Sequence, residues 1–301
     1  MGSLHSKPAK SPACAADSTV TCPNCGANVV ALVRNCPTCQ KDLGFPNVRF
    51  AMSPAEIKAL SRRFDAARIT ASARGLQSEF DSLVSEVASN SHVVVAVPPL
   101  FARTFLSDPR MIYNNYENLV ESGSRQPSHM QSDGDRKSTG GRLFGSFAHE
   151  IRYGVLSLDG TSLPNYGLAF LKLRDVAVEQ RVSFLHENSY LFLESHGITV
   201  QGYLPQGYRS GWQNRDMLAA AKLEPMLAAG SSVTNWTRQV VVQGANRSED
   251  KCIEAHVFGG FNALAVESVA FARPGASRAE KNDIACIKEW MTKRSTPGVT
   301  T

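Results

Sequence analysis

Tyr153-Gly154-Val155-Leu156-Ser157-Leu158 opens the stretch on which the fold class turns, with further strand-like runs at Leu168–Leu173 and Arg181–Leu185. Upstream, the β-branched run His92–Val97 suits a buried strand. Downstream, strands are predicted at Tyr190–Leu193, Gly197–Tyr203, Thr237–Val242, Cys252–Phe258 and Ser268–Ala272. Helices are predicted at Tyr113–Ser122, at Arg215–Ala229 and from about Arg278 to Lys293, and the polar, Gly-rich segment Ser124–Gly141 reads as an exposed loop. Strands do not alternate strictly with helices, which argues for an α+β protein rather than a doubly wound parallel sheet.

From Ser53 to Ser89 the apolar positions Ile57, Leu60, Phe64, Ile69, Leu76, Phe80, Leu83 and Val87 recur mostly at three to four residues. That is the period of an amphipathic helix. Ser53-Pro54-Ala55-Glu56 is a helix start, with Ser as N-cap, Pro at the first helical position and Glu at the third. One long helix is predicted, or two joined near Gly75.

Before this helical region, Cys22-Pro-Asn-Cys25 and Cys36-Pro-Thr-Cys39 form two knuckles separated by ten residues. Two such pairs let four thiolates converge tetrahedrally on Zn²⁺, and four thiolates leave no open position for chemistry. The metal is therefore expected to be structural, and to supply most of the folding energy of so small a module. Gly26 follows the first knuckle, where a positive φ is often wanted. Residues 1–20, rich in Ser, Pro, Ala and Lys, read as a disordered tail. The predicted organisation is thus tail 1–20, zinc ribbon 21–44, helical region 53–90 and main domain 91–295.

A hydrophobic content of 43% with 20% charged residues places the 301-residue chain among globular proteins. No window approaches 18 uninterrupted apolar residues, so no membrane span is predicted. Cysteines gathered in one cluster point to a metal site in a reducing compartment rather than a disulfide scaffold. The net charge of +5 is mild and the basic residues are scattered, so nucleic acid is not an expected partner. Gly2 and Ser6 fit the N-myristoylation pattern, and one acyl chain gives only weak, reversible membrane association. Gly-x-Ser-x-Gly, P-loop and Gly-x-Gly-x-x-Gly patterns are absent, which argues against a serine hydrolase and a Rossmann or nucleotide-triphosphate site.

Four further segments occur in order. They are Asp135-Arg136 with Arg142-Leu143-Phe144-Gly145, then Arg152-Tyr153-Gly154-Val155-Leu156, then Tyr166–Leu173 running on to Arg181-Val182-Ser183-Phe184 and Asn188-Ser189, and last Ile253-Glu254-Ala255-His256-Val257-Phe258-Gly259-Gly260. Together, over roughly residues 90 to 275, they resemble the core of bacterial effector ADP-ribosyltransferases of the CteC type, whose members attach ADP-ribose to a threonine of ubiquitin. The resemblance implies a split β-sheet core. It also implies NAD as substrate, a host protein acceptor, ubiquitin above all, and a secreted monomeric effector that acts in the host cytoplasm and blocks ubiquitination.

The chemistry gives the last segment its meaning. Breaking the bond between nicotinamide and ribose passes through an oxocarbenium-like transition state, and a carboxylate facing the cationic sugar stabilises it. Glu254, in a short apolar strand that runs into Gly259-Gly260, is the catalytic candidate. A guanidinium suits the dinucleotide phosphates because it bonds them bidentately. Arg103 is the first choice and Arg110 the alternative. A pocket serine is sought at Ser128 or at Ser138-Thr139, since the Ser-Thr-Ser triplet that the resemblance implies is absent. Arg152, Tyr153 and Gly154 would supply an aromatic surface for nicotinamide. The other reading is a catalytically inactive protein-interaction module displaying the zinc ribbon.

Overall fold

The structure is a computed structural model that describes residues 19–31, 33–114, 138–199, 204–272 and 276–295. Gly2, Ser128 and most of the predicted Tyr113–Ser122 helix lie outside those residues. Strands β1 (Thr19–Thr21) and β2 (Asn28–Val30) pair antiparallel in the cysteine module, which is joined by helix α1 (Pro46–Ala51) to the rest of the chain.

Helices α2 (Pro54–Ala73) and α3 (Gln77–Asn90) replace one continuous helix because Gly75 takes φ 72°, a left-handed conformation that ends α2. The expected cap is present: the Ser53 side chain accepts from the Glu56 N–H. The Glu56 carboxylate does not return to the cap. It is buried, and its Oε1 accepts the backbone N–H groups of Gly207, Tyr208 and Arg209, while Oε2 takes the Arg209 guanidinium.

Seven strands form the main sheet. They are β3 (His92–Val97), β4 (Ile151–Ser157), β5 (Ala169–Leu173), β6 (Val182–Leu185), β7 (Arg209–Gly211), β10 (Glu254–Phe258) and β11 (Val266–Phe271). Every neighbour is antiparallel, in the order β11-β5-β3-β4-β10-β6-β7. A separate two-stranded ribbon pairs β8 (Val241–Val242) with β9 (Lys251–Cys252). The architecture is therefore mixed α/β around an antiparallel sheet. The inner strand β3 bonds β4 through His92–Val94 and β5 through Val94–Val97.

Alternation along the strands gives the sheet two unlike faces. On one, Ala255, Val257, Val182, Phe184 and Leu156 join a core with Leu60, Phe80 and Leu83 of α2 and α3 and with Ala102 and Phe105 of α4 (Pro99–Ser107). On the other, Ile151, Leu185 and Phe258 pack with Leu143, Phe144, Phe147 and Phe192. Glu254 and His256, at even positions in β10, belong to this second face.

Two predicted strands are helices. Tyr190–Leu193 lies in α6 (Ser189–Ser195), which follows the short α5 (Asp175–Val178). Asn188 caps α6 by accepting the Tyr190 N–H, and Phe192 and Leu193 are buried while Tyr190 is exposed. A short apolar run does not by itself separate helix from strand; the cap does. Most of Thr237–Val242 is likewise in α8 (Val233–Val240), downstream of α7 (Arg215–Leu223). A capping box between Ser232 and Asn235 starts α8, and Trp236 and Val240 bury one side of it. The predicted Gly197–Tyr203 strand falls partly outside the described residues, and its described part is irregular. The C-terminal helix α9 runs Arg278–Ser295. Among the described residues no helix is long and apolar enough to cross a membrane.

His186, just past β6, supplies a measurable consequence. Its Nδ1 lies 3.3 Å from Arg63 Nη2, and burial, then Arg63, Lys222 and His196, push its pKa down to about 2. The unfolded chain, with a histidine near pH 6.5, binds a proton that the folded chain refuses. Stability from this group is therefore complete above about pH 6.5 and is lost as pH falls toward the folded value, at no more than about 1.4 kcal/mol per pH unit. Urea denaturation is expected to show a loss of about 2 kcal/mol from His186 between pH 6.5 and pH 5. His186→Gln, which keeps an acceptor for Arg63, flattens that part of the slope; an unchanged slope would reject the assignment.

Candidate metal centre and carboxylate site

The four cysteines converge as their spacing predicts. Their Sγ atoms all lie within 4.8 Å of one another, with Cys22–Cys39 at 3.6 Å and Cys25–Cys36 at 3.7 Å. A tetrahedron of thiolates about 2.3 Å from Zn²⁺ has edges of about 3.8 Å, so the residues fit that ion. Each knuckle is closed by the same bond, Gly26 N–H to Cys22 O and Gln40 N–H to Cys36 O, and each ends in a left-handed residue, Gly26 at φ 73° and Gln40 at φ 59°. The sequence flags Gly26 but not Gln40, whose side chain is unlike those that usually take this conformation. Without a metal the clustered thiols share their protons unequally: the Asn24 side chain and the Lys41 N–H lower Cys39 to about 6, while Cys25 is raised to about 12. Of the lone cysteines, Cys252 is buried and Cys286 exposed; Cys14 lies outside the described residues.

The second site surrounds Glu254, at the start of β10 between Val155 of β4 and Leu185 of β6. Its side chain is 12% exposed. Oε2 accepts three hydrogen bonds: from the Ser189 N–H at 2.9 Å, from the Ser189 hydroxyl, and from His256 Nε2 at 3.1 Å. Ser189 stands in the first turn of α6, and the cap that makes this segment a helix also aims its hydroxyl at β10. His256 is buried with Phe144 and Tyr153 edge-on at 4.8 and 5.4 Å. Sequence reasoning quoted Ser189 within a motif without seeing it as the serine beside Glu254. The signal available was Asn188-Ser189 as a helix cap. Both Ser189 and Glu254 approach the same nitrogen of His256, so this is not the relay of a serine hydrolase, in which the acid holds the opposite ring nitrogen.

The other expected site residues disperse. Tyr153 shares the Glu254 face, directly opposite His256. Arg152 and Gly154 point to the opposite face. Arg152 is buried and spent on His149 O, Tyr113 O and Asn114 Oδ1, and a Cβ on Gly154 would come within 2.8 Å of Val94 O. Gly154 is therefore required by strand packing. Arg103 lies on the exposed side of α4, the helix that covers that opposite face, paired with Asp283 of α9 at 2.6 Å. Arg110 is 91% exposed beside Asp108. Neither guanidinium bonds Glu254. Ser138 accepts from Arg142 Nη2, and Thr139 is buried nearby. Arg142 also donates to Ile198 O, so its acceptors among the described residues are neutral.

Beside His256, a cavity of about 10 Å³, room for one water, is lined by Asn47, Phe50, Ser183 and Arg209 among others. It is far smaller than a nucleotide.

No family model matches the chain, and no curated protein matches it.

Proposed function

We propose that the chain is an ADP-ribosyltransferase that cleaves NAD and transfers ADP-ribose to a hydroxyl of a host protein, with a threonine of ubiquitin as the acceptor. The observation that carries this reading is the seat of Glu254. One carboxylate oxygen is held by Ser189 and His256, while Oε1 has no protein partner among the described residues. A carboxylate fixed through one oxygen presents the other to a ribose hydroxyl and to the developing sugar cation without reorganising. In the transfer, the bond from C1′ of the ribose to the nicotinamide nitrogen breaks and its electron pair leaves with nicotinamide. The bond from C1′ to the acceptor oxygen forms, and Glu254 takes the acceptor proton on its way to solvent. Arg142, which meets only neutral acceptors among the described residues, replaces Arg103 as the group offered to the phosphates.

The test is incubation of the full chain with labelled NAD and ubiquitin. Glu254→Gln is expected to lower labelling by about 10²–10³-fold, the range for removing one preorganised electrostatic group. Undiminished labelling by Glu254→Gln would take Glu254 out of the mechanism, and absence of labelling by the unaltered chain on every target would end the enzyme reading. The engagement of Arg103 by Asp283 favours a second reading, an inactive interaction module. That protein would show no change in Tm with NAD, whereas NAD at about ten times its Kd raises the Tm of a binding protein this size by a few degrees.

A further inference from the structure

The cysteine module is tied to the sheet through three residues of one short segment. Arg49 of α1 donates four hydrogen bonds to carbonyls of the module: Nη1 to Leu43 O and Gly44 O at 2.9 and 3.3 Å, and Nη2 to Ala31 O and Val33 O, both at 2.6 Å. Two of those carbonyls precede the second knuckle and two follow it. They converge only while both knuckles are closed.

Two residues earlier, Asn47 is buried against the strands. Its Nδ2 serves Arg181 O, Ser183 Oγ and His256 O at 3.1, 3.2 and 2.9 Å. Two of these acceptors are carbonyls that cannot donate, so the amide orientation is fixed. Phe45 completes the connection, with the Arg34 guanidinium of the module 4.4 Å from its ring centroid and Phe258 of β10 at 5.4 Å on the sheet side.

We infer that the four-cysteine module is an internal brace: metal binding there assembles the carbonyl cradle of Arg49, and α1 carries that order to β6 and β10 at Ser183 and His256. The module's own core is Cys22, Val29 and Cys36 with a few partly buried neighbours, too little to hold its two arms together without a metal. Arg49 is half-buried and makes no salt bridge among the described residues; Asp42 of the module acts on it only from a distance, so the four carbonyls are what its guanidinium bonds. When the arms separate, the guanidinium loses that cradle and α1, only six residues long, loses its outer anchor. Asn47 is then held against His256 O, two residues from Glu254, by its own strand contacts alone. By linkage the effect is mutual: what metal does for the strands, the α1 contact does for metal affinity. Partner recruitment is not needed to explain the module, since its inward carbonyls are already occupied.

The experiment is hydrogen–deuterium exchange on the full chain, read by peptide, in three states: zinc-loaded, chelator-stripped, and zinc-loaded Arg49→Met. Amides of 182–185 and 254–258 are expected to exchange about tenfold faster in the stripped chain and in Arg49→Met, while 169–173 and 266–271, at the far edge of the sheet, stay unchanged. Arg49→Met is expected to keep one zinc per chain with about tenfold weaker affinity in a chelator competition. Should Arg49→Met fail to fold, Phe45→Leu serves, with the same two readouts in the same direction. Stripping that accelerates exchange only within 19–44, or an Arg49→Met chain with unaltered zinc affinity, overturns the brace. Neither readout measures transfer, so the outcome is independent of the proposed activity.

Discussion

Cys36→Ser is expected to leave the chain without bound zinc and residues 19–44 without fixed structure, whereas the unaltered chain carries one zinc per molecule. Cys36 is fully buried at the centre of the module, and its Sγ is one corner of the four-thiolate cluster. Binding of a structural zinc at such a site contributes about 10–16 kcal/mol at neutral pH, and the module has no other source of that size. Serine at this position offers a hydroxyl that stays protonated where a thiolate is required. Metal content by atomic emission, and limited proteolysis of the N-terminal region, check the two halves of the expectation. Stoichiometric zinc in Cys36→Ser, or a module resistant to protease after chelation, would show that the thiolates are not what folds it.

The second large effect is placed on Glu56. Glu56→Ala removes the acceptor of three backbone N–H groups and the partner of Arg209, all near the buried start of β7. The chain cannot close over the gap by shifting Gly207, which takes φ 85° and passes so near α2 that a Cβ there would fall 2.8 Å from the Ala59 carbonyl carbon. Water entering the site would satisfy part of the loss, and the guanidinium, whose Nε already has no partner, would lose its counter-charge. Breaking a buried charge pair in this way costs about 3–5 kcal/mol. Glu56→Gln retains an oxygen for the N–H groups and is expected to cost less than Glu56→Ala, which separates the hydrogen bonds from the charge. Urea unfolding of the two variants measures both; a Glu56→Ala chain within about 0.5 kcal/mol of the parent would mean that the carboxylate is incidental.

These two sites mark the range of what a linear reading reaches. The four-cysteine cluster is legible because tetrahedral coordination of a metal by two tight turns fixes the spacing of the cysteines within one short segment. Glu56 is legible only as a helix-start residue. The burial that makes it matter comes from residues some 150 positions later. Glu254 lies between these cases. The chemistry of a carboxylate in a strand was readable, but its partners were not. Ser189 reaches it through a helix start where a strand was predicted, and the arginines expected beside it turned to other acceptors. Arg103 found Asp283 on a distant helix, and Arg152 fell on the wrong face because odd and even positions in a strand part company.

By itself the sequence determined the four-cysteine cluster, the paired N-terminal helices with their Ser53 cap and Gly75 break, and six of the seven strands of the sheet, all but β7. Each depends on spacing within a few residues, where steric and coordination rules act locally. Only the tertiary structure decided which oxygen of Glu254 is held, which guanidiniums are already spent, and how Arg49 and Asn47 bind the metal module to the strands. Those are contacts between residues far apart in the chain, and their geometry is set by the packing of whole elements rather than by any local pattern.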